Sequence, residues 1–411
     1  MDQLEHSPLG GSGAKRFLNC DGSFLLHRKE IEAGTFENIT TEYAQRGNAA
    51  HLLGSTCLSS GREPYEYIGV EFEGLIAGWP DGIELDPVSV YVTHCQRIMD
   101  QNPDGRTMIE QTIHLPHLHP LLKGTVDFGH WVFDNFTAKA WLVDYKNGEG
   151  VGVYVLDNEQ LLYYSFLLIM HVTELMEAPD DAVMTLAIVQ PNFFGIFEAP
   201  EVWEQTFGNI RKWGNGTLLP RMWELYNRDV NSVTDADFHD GDWCQFCPVL
   251  LDCPKMQTAF EDFVEGEEDF IMMLTNAELD AYYAKRASAR RFMNALDNVV
   301  HARLTTSAKP EEFKHAKLVE KKVNRVWRPG ADAVLVEAFK DKAYNPAKIK
   351  SPAQIEKLST RGKELALEYG YKPESFGLSV APMDDPRPAA QRKGNSHVFA
   401  AFETGTEEQG W

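Results

Sequence analysis

The residue types best suited to chemistry lie in two short motifs, Gly124-Thr125-Val126-Asp127 and Asp144-Tyr145-Lys146. Side chains alternate along a β-strand, so Asp144 and Lys146 point to one face if their segment is a strand. If the two segments pair, Asp127 lies close to both. Carboxylates hold hard divalent cations, which polarise a scissile phosphate and lower the pKa of a bound water. A lysine beside them offsets the charge of the transition state, so the motifs predict a phosphodiester-cleaving site.

An exposed Asp–Lys ion pair is the ordinary alternative for a D-x-K triplet. Two further segments favour a site. Gln160 and Tyr164 are four residues apart on a predicted apolar helix, so they share a face and need polar partners if they are buried. A capping glutamine and a tyrosine that reaches solvent are the alternative for that pair. His51, four residues after Gly47 in a predicted helix, is the candidate nitrogen ligand.

Three cysteines follow the pattern C-x2-C-x5-C: Cys244, Cys247 and Cys253. Three thiolates at this spacing need a fourth ligand to complete either a tetrahedral zinc site or a cubane iron–sulfur cluster. The sequence offers no second C-x2-C, and Cys20 is the best candidate for the fourth ligand. Buried free thiols are the remaining alternative. Cys57 and Cys95 have no such pattern around them and are interpreted as core residues.

The elements that position these residues follow from hydrophobic periodicity and turn signals. Strands are predicted over 108–113, 124–133, 140–146 and 182–190, and the second and third form an antiparallel hairpin at Asp134-Asn135. Helices are predicted over 41–58, 158–176 and 201–226. Asp157 is the predicted N-cap of the middle helix, with Gln160 completing a capping box. The predicted fold class is α/β, with a mixed sheet flanked by helices.

Charge is distributed unevenly over the 411 residues, whose formal net charge is −22. Residues 285–357 contain 17 Lys and Arg against eight Asp and Glu. A basic segment attracts phosphate, so we predict DNA contacts there, at Arg290, Arg291, Lys321, Lys322 and Arg325. A solvated helical surface is the alternative. No apolar run spans a bilayer and no N-terminal signal is evident, so we expect a cytoplasmic protein.

Taken in order, helical G-x-x-x-H at 47–51, strand G-x-x-D at 124–127, strand D-x-K at 144–146 and helical Q-x-x-x-Y at 160–164 resemble the RecB-like PD-(D/E)XK nuclease family. The resemblance implies a restriction-endonuclease-like core. It implies that Mg²⁺ or Mn²⁺ is bound by His51, Asp127 and Asp144. It also implies that Lys146 is the catalytic lysine and that Gln160 and Tyr164 contact DNA and order the site. Glu110, in the preceding strand, is a weaker match to the family pattern.

One distant N-terminal cysteine combined with C-x2-C-x5-C is similar to the 4Fe–4S site of the iron–sulfur subgroup of these nucleases. In that subgroup the cluster joins the two ends of the nuclease domain. The resemblance therefore implies a 4Fe–4S cluster on Cys20, Cys244, Cys247 and Cys253, with Zn²⁺ as the alternative. The N-terminal segment Ser12-x-x-x-Arg16…Cys20 and the C-terminal segments at 351–354 and 386–389 are similar to a phage and prophage branch of the family.

The resulting organisation is a nuclease domain over 1–260, a basic, mostly helical extension over 261–385 and a flexible tail over 386–411. The resemblance implies an exonuclease that hydrolyses DNA from its ends in phage-type recombination or end processing, in the cytoplasm of a bacterial host. DNA and a single-strand annealing or recombination protein are the expected partners. The alternatives are a structure-dependent endonuclease and a catalytically silent binding module with the same fold.

Overall fold

The computed structural model describes residues 7–36, 42–79, 81–134, 137–148, 152–194, 200–264, 275, 277, 285–307, 309–320, 326–327, 331–340, 344–345, 348–349, 351–352, 355, 360–371, 378–382 and 388. The chain divides into two compact units, Met1–Val299 and Val300–Trp411. The predicted boundaries at residues 260 and 385 remain predictions. Within the described ranges, no helix is both long and apolar enough to cross a membrane.

A five-stranded mixed sheet organises the first unit. The strands of this unit are β1 (Glu71–Phe72), β2 (Leu75–Ile76), β3 (Arg106–His114), β4 (Lys123–Asp134), β5 (Thr137–Tyr145), β6 (Val183–Val189) and β7 (Val202–Thr206). The sheet order is β3-β4-β5-β6-β7, and β1 pairs only with β2. β5 and β6 run parallel, whereas the other pairs of the sheet are antiparallel. The predicted β4–β5 hairpin and the mixed α/β class are confirmed.

Helices cover both faces of this sheet. The helices of this part of the chain are α1 (Ala14–Asn19), α2 (Asp21–Ala33), α3 (Glu42–Ser60), α4 (Leu85–Gln101), α5 (Glu159–His171), α6 (Thr173–Glu177), α7 (Pro191–Phe194), α8 (Phe207–Trp213), α9 (Leu219–Asn227), α10 (Pro254–Val264) and α11 (Arg286–Thr306). Leu142 of β5 packs in a core with Phe166 of α5, while its neighbour Val143 packs in a second core with Leu53 and Tyr91 of α3 and α4. Because side chains alternate along β5, the sheet has a hydrophobic core on each face.

Two local predictions are wrong. The side chain of Asn158, not Asp157, caps α5 by accepting the backbone N–H of Leu161, and Asp157 has a left-handed φ of 52°. Residues 202–206, predicted as helix, form β7, because pairing with β6 supplies hydrogen-bond partners that the local pattern does not reveal. Thr206 ends that strand and caps α8 by accepting the N–H of Asn209.

The second unit contains α12 (Ala331–Phe339) and α13 (Thr360–Tyr369) around a small core of Ala331, Leu335, Ile355 and Leu365. It also contains short strands that were not predicted: β8 (Ala316–Glu320), β9 (Val326–Trp327), β10 (Tyr344–Asn345), β11 (Lys348–Ile349), β12 (Gly370–Tyr371) and β13 (Leu378–Pro382). They pair antiparallel as β8–β13, β9–β12 and β10–β11. Apart from Pro388, the predicted tail over 386–411 lies outside the described residues.

Candidate active site

Three candidate metal ligands from three different elements converge beside the second core. Nδ1 of His51, on α3, lies 3.7 Å from Oε2 of Glu110 on β3 and 3.6 Å from Oδ2 of Asp127 on β4. One ligand atom from each residue lies within 4.8 Å of the other two. In the described part of the chain, no other set of three His, Cys, Asp or Glu side chains meets that limit. The backbone N–H of Tyr145 donates to Oδ2 of Asp127 at 2.8 Å and fixes its orientation.

The backbone at Glu110 is unusual for a strand. Its φ is 45°, while the flanking pairs Ile109–Phe128 and Gln111–Val126 keep the regular register of β3 and β4. A non-glycine residue in the left-handed region costs on the order of 1–3 kcal/mol, and such residues concentrate at functional sites. The sequence marked Glu110 only as a weak match, because this conformation leaves no trace in a hydrophobic pattern.

A second set of contacts lies at the carboxyl end of β5. Nζ of Lys146 lies 3.0 Å from Oδ2 of Asp144, and the side-chain amide of Gln160 on α5 donates to Oδ1 at 2.9 Å. Asp144 is 3% exposed, and its Oδ2 has no hydrogen bond of acceptable geometry within the described chain despite the nearby ammonium group. Among described residues Asp144 is therefore bound to Lys146 and Gln160 and is not part of the set containing His51.

Burial and charge act in opposite directions on the pKa values here. Burial alone lowers the pKa of His51, but the carboxylates of Asp127 and Glu110 raise it to about 9. Burial raises the pKa of Asp127 and of Asp144, and the neighbouring cations only partly offset it. Burial lowers the pKa of Lys146, but Asp144 and Asp127 outweigh it, and the net shift is upward. Several ionisable groups therefore share one poorly hydrated volume, as is common at functional sites.

Tyr164 joins this volume from α5. Burial raises its pKa well above the ordinary value, with smaller contributions from Asp144 and Asp127. Its ring packs against Gly11 and Gly124, where an added Cβ would lie 2.6 Å and 2.7 Å from the ring carbon Cε1. The glycine of the G-x-x-D motif thus leaves room for the tyrosine of the Q-x-x-x-Y motif. The residue set His51, Glu110, Asp127, Asp144, Lys146 and Gln160 is called the catalytic group below, after the function proposed for it.

The four predicted cysteines line one small apolar cavity in the first unit. Cys20 stands between α1 and α2 and contacts the segment after α9, where its Sγ accepts the N–H of His239 at 3.5 Å. Burial raises the pKa of Cys244 to about 12 and that of Cys247 to about 11. Cys57 and Cys95 are buried in the second core, away from this cavity. Cys20, Cys244, Cys247 and Cys253 are called the cysteine group below.

Arg16 also lines this cavity, and the sequence had named it only as part of the N-terminal segment, without a role. Its guanidinium donates to the carbonyl oxygen of Phe246 at 3.1 Å, and its charge acts to lower the pKa of the Cys247 thiol. Helix α1 carries both Arg16 and, at its C-terminal end, Cys20. A basic residue one turn before a cysteine was the only available signal.

The predicted DNA-contacting residues are only partly described. Arg290 is exposed on α11, whereas Arg291 forms an ion pair with Asp240 at 3.0 Å. Lys321, Lys322 and Arg325 lie outside the described residues. The structure therefore offers Arg290 as an accessible cation, while Arg291 has a structural partner.

Comparison with family models matches residues 6–388 to a family described as "Protein of unknown function (DUF2800)". The chain belongs to this family. The match covers the catalytic group, the cysteine group and most of the second unit, so all three belong to one family architecture.

Proposed function

We propose that the protein is a divalent-metal-dependent deoxyribonuclease with a RecB-like PD-(D/E)XK core, acting as an exonuclease on DNA ends. The observation that carries the proposal is the convergence of His51, Glu110 and Asp127 beside the buried Asp144–Lys146 pair. A cation held by carboxylates and a nearby ammonium group together promote phosphodiester hydrolysis, and these residues supply the ligands and the ammonium group. Work beside a single-strand annealing protein in phage-type recombination is the setting that this activity fits.

The donor set suits Mg²⁺ or Mn²⁺. Two carboxylates provide hard oxygen ligands and His51 provides one imidazole nitrogen, a mixture that Mn²⁺ accepts readily. Asp144 has an oxygen that is buried without a hydrogen bond in the described structure, so it is available as a further ligand or as an acceptor for a metal-bound water. Because these buried carboxylates have raised pKa values, a bound cation would relieve an unfavourable arrangement of charge.

When bound, the cation would polarise the scissile phosphate and lower the pKa of a water molecule. The chain's own residues do the rest. Lys146 directs its ammonium group toward the attacking water or a phosphate oxygen, where it offsets developing negative charge. Asp144 holds Lys146, and Gln160 in turn holds Asp144. The Tyr145 N–H fixes Asp127, so the backbone of β5 aligns the ligand on β4.

We also propose that the cysteine group binds a 4Fe–4S cluster. Three of the four cysteines are buried, and all four line one apolar cavity. Burial keeps the thiols of Cys244 and Cys247 protonated at neutral pH, so a bound metal is what would hold them as thiolates. The His239 N–H, which reaches Cys20, is the kind of donor that stabilises cluster sulfur.

Within the described chain the free cysteine sulfurs are not preset for tetrahedral zinc. Tetrahedral zinc with bonds of about 2.3 Å would bring its sulfur ligands within roughly 3.8 Å of one another. The described chain contains no set of three cysteine sulfurs within 4.8 Å of one another. A cubane cluster accepts this wider spacing because each cysteine binds a different iron atom.

The test is anaerobic purification followed by a cleavage assay with Mg²⁺ or Mn²⁺ on end-labelled linear DNA and on covalently closed circular DNA. The proposal predicts cleavage of linear DNA, none of closed circles, and iron with acid-labile sulfide in the protein. Cleavage of both forms would identify an endonuclease. A folded, iron-loaded protein that cleaves neither form would leave a binding module with the same fold.

A further inference from the structure

Three aromatic side chains that the proposed chemistry does not use lie together at the surface of the first unit. Tyr154, Phe193 and Phe194, called the aromatic cluster below, are 61%, 41% and 42% exposed. The ring centroids of Tyr154 and Phe194 are 5.7 Å apart at 74°, and those of Phe193 and Phe194 are 4.9 Å apart at 81°. Exposed aromatic rings that also contact one another are uncommon on a surface with no ligand to bind.

Side-chain amides connect the aromatic cluster to the strand that carries Lys146. Because β5 and β6 are parallel neighbours, the segments that follow them emerge at the same edge of the sheet. Gln190, just after β6, accepts the N–H of Val153 at 2.8 Å and donates to the carbonyl oxygen of Gly148 at 2.8 Å. Asn192 donates to the carbonyl oxygen of Asn147, the residue after Lys146, at 2.8 Å.

Local packing holds the rings in place. A Cβ added to Gly152 would lie 2.4 Å from ring carbon Cε1 of Phe193, so the backbone before Tyr154 rests directly on that ring. Beside Phe194 lies a cavity of about 300 Å³, lined mainly by apolar residues that include Val90, Val155 and Ile188. This volume is at the lower end of the range for pockets that bind small ligands. The cluster therefore has a fixed surface and apolar space next to it.

Nucleobases are the ligands that such a surface suits. Every base has an aromatic face, and stacking on protein rings tolerates any sequence. Bases inside a duplex already have both faces covered, so stacking selects unpaired bases. We propose that the aromatic cluster stacks the unpaired bases of a single-stranded DNA end whose backbone enters the catalytic group. This inference rests on the proposed nuclease function and names its substrate class.

The experiment measures binding without cleavage. The full-length protein, with its iron–sulfur site loaded, is titrated in Ca²⁺ buffer into a fluorescein-labelled single-stranded oligonucleotide. Binding is followed by fluorescence anisotropy. A second oligonucleotide of the same length has abasic units at its end, which keep the phosphates and remove the bases. Because one stacked base contributes on the order of 5- to 150-fold in affinity, the parent protein should bind the complete strand at least roughly tenfold more tightly.

Variants locate the effect. Tyr154→Ala combined with Phe193→Ala should abolish the preference for the complete strand, while Tyr154→Phe, which keeps the ring, should retain it. Tyr65→Ala removes an aromatic side chain that is 49% exposed outside the cluster and is the matched control. Thermal melting confirms that each variant is folded. Tyr154→Ala alone gives a milder test if the double variant does not fold, because Tyr154 is the most exposed of the three.

The outcomes separate the two proposals. The protein could prefer the complete strand over the abasic strand, lose that preference when the aromatic cluster is changed, and yet cleave no DNA with Mg²⁺ or Mn²⁺. That result supports the base-stacking site and contradicts the nuclease. Cleavage with equal affinity for both oligonucleotides, or with a preference that survives in the double variant, overturns the base-stacking site alone. Failure of the parent protein to bind either oligonucleotide also overturns it.

Discussion

The catalytic group and the cysteine group are assembled in opposite ways. All residues of the catalytic group come from residues 51–160 and lie on α3, β3, β4, β5 and α5 or, for Lys146, directly after β5. The cysteine group joins Cys20 to a segment more than 200 residues later in the chain. Ion pairs accompany that junction: Arg228 contacts both Asp21 and Asp237, and Lys15 contacts Asp242.

The two groups also differ in charge. The catalytic group holds several buried ionisable side chains and a left-handed Glu110, an arrangement that destabilises the fold unless a cation is bound. The cysteine group lines an apolar cavity, and a metal bound there would add directly to the stability of the fold. Substitutions in the catalytic group should therefore affect turnover, and substitutions in the cysteine group should affect folding.

The largest expected effect is on turnover. Asp127→Asn keeps an oxygen that can accept the Tyr145 N–H but removes a carboxylate that the cation needs. Cleavage by the variant should fall by roughly 1,000-fold or more, while its melting temperature is equal to or above that of the metal-free parent. Rates with Mn²⁺ and melting curves measure the two effects. A large loss of stability in Asp127→Asn would contradict the expectation that substitutions in the catalytic group affect turnover and not folding.

The next effect is on stability. Cys20→Ser should remove iron and sulfide and lower the free energy of unfolding by about 3 kcal/mol or more, because cluster binding contributes directly to folding. Cys57→Ser is the control, since Cys57 is equally buried but lies outside the cysteine group. Iron and sulfide assays combined with denaturant unfolding distinguish the two. If the Cys20 and Cys57 variants retain the same iron content, the cluster assignment is wrong.

A smaller effect concerns pH. His27, on α2 just after Cys20, has a pKa lowered to about 4, first by burial and then by Arg16. The unfolded chain binds this proton near pH 6.5, so the stability contributed by neutral His27 is present above that pH and is lost as pH falls toward 4. The parent should lose up to about 2 kcal/mol more than His27→Gln across this range. The free energy of unfolding is measured by urea titration at pH values between 7 and 5. If it falls equally in the parent and in His27→Gln, this role of His27 is wrong.

The smallest expected effect is on salt dependence. Arg290 is exposed on α11, and the partly buried Phe292 of that helix packs against the core formed by the cysteine group. If this region contacts a phosphate, Arg290→Ala should reduce the slope of log affinity against log salt by about 0.7 for single-stranded DNA. Arg291→Ala, which breaks the ion pair with Asp240, serves as a comparison. An unchanged slope for Arg290→Ala would limit DNA contacts to other surfaces.

Much of the sheet was predictable because hydrophobic periodicity is a local signal. The β4–β5 hairpin, the strand over 183–189 and the helices that carry His51 and Gln160 follow from it. The strand β7 was not predictable, because its residues form a strand through pairing with β6 and not through a local sequence pattern. The alternation of D-x-K correctly placed Asp144 and Lys146 side by side.

The grouping within the candidate site needed three-dimensional information. The resemblance named Asp144 as a metal ligand with His51 and Asp127. In the structure the ligand atoms that lie within 4.8 Å of one another are those of His51, Glu110 and Asp127, while Asp144 contacts Lys146 and Gln160. The left-handed backbone at Glu110, inside an otherwise regular strand, is likewise not encoded by any periodicity. The aromatic cluster likewise joins two segments through Gln190 and Asn192, whose amide contacts have no sequence signature.

The most direct test of the nuclease assignment separates metal binding from cleavage through Lys146→Ala. The substitution leaves His51, Glu110 and Asp127 in place, so Mn²⁺ should still bind with an affinity within about threefold of the parent. DNA cleavage should fall by roughly 100-fold or more, because the charge that offsets the transition state is gone. A folded Lys146→Ala protein that binds Mn²⁺ and does not cleave DNA is the predicted result. Cleavage at the parental rate would contradict the account.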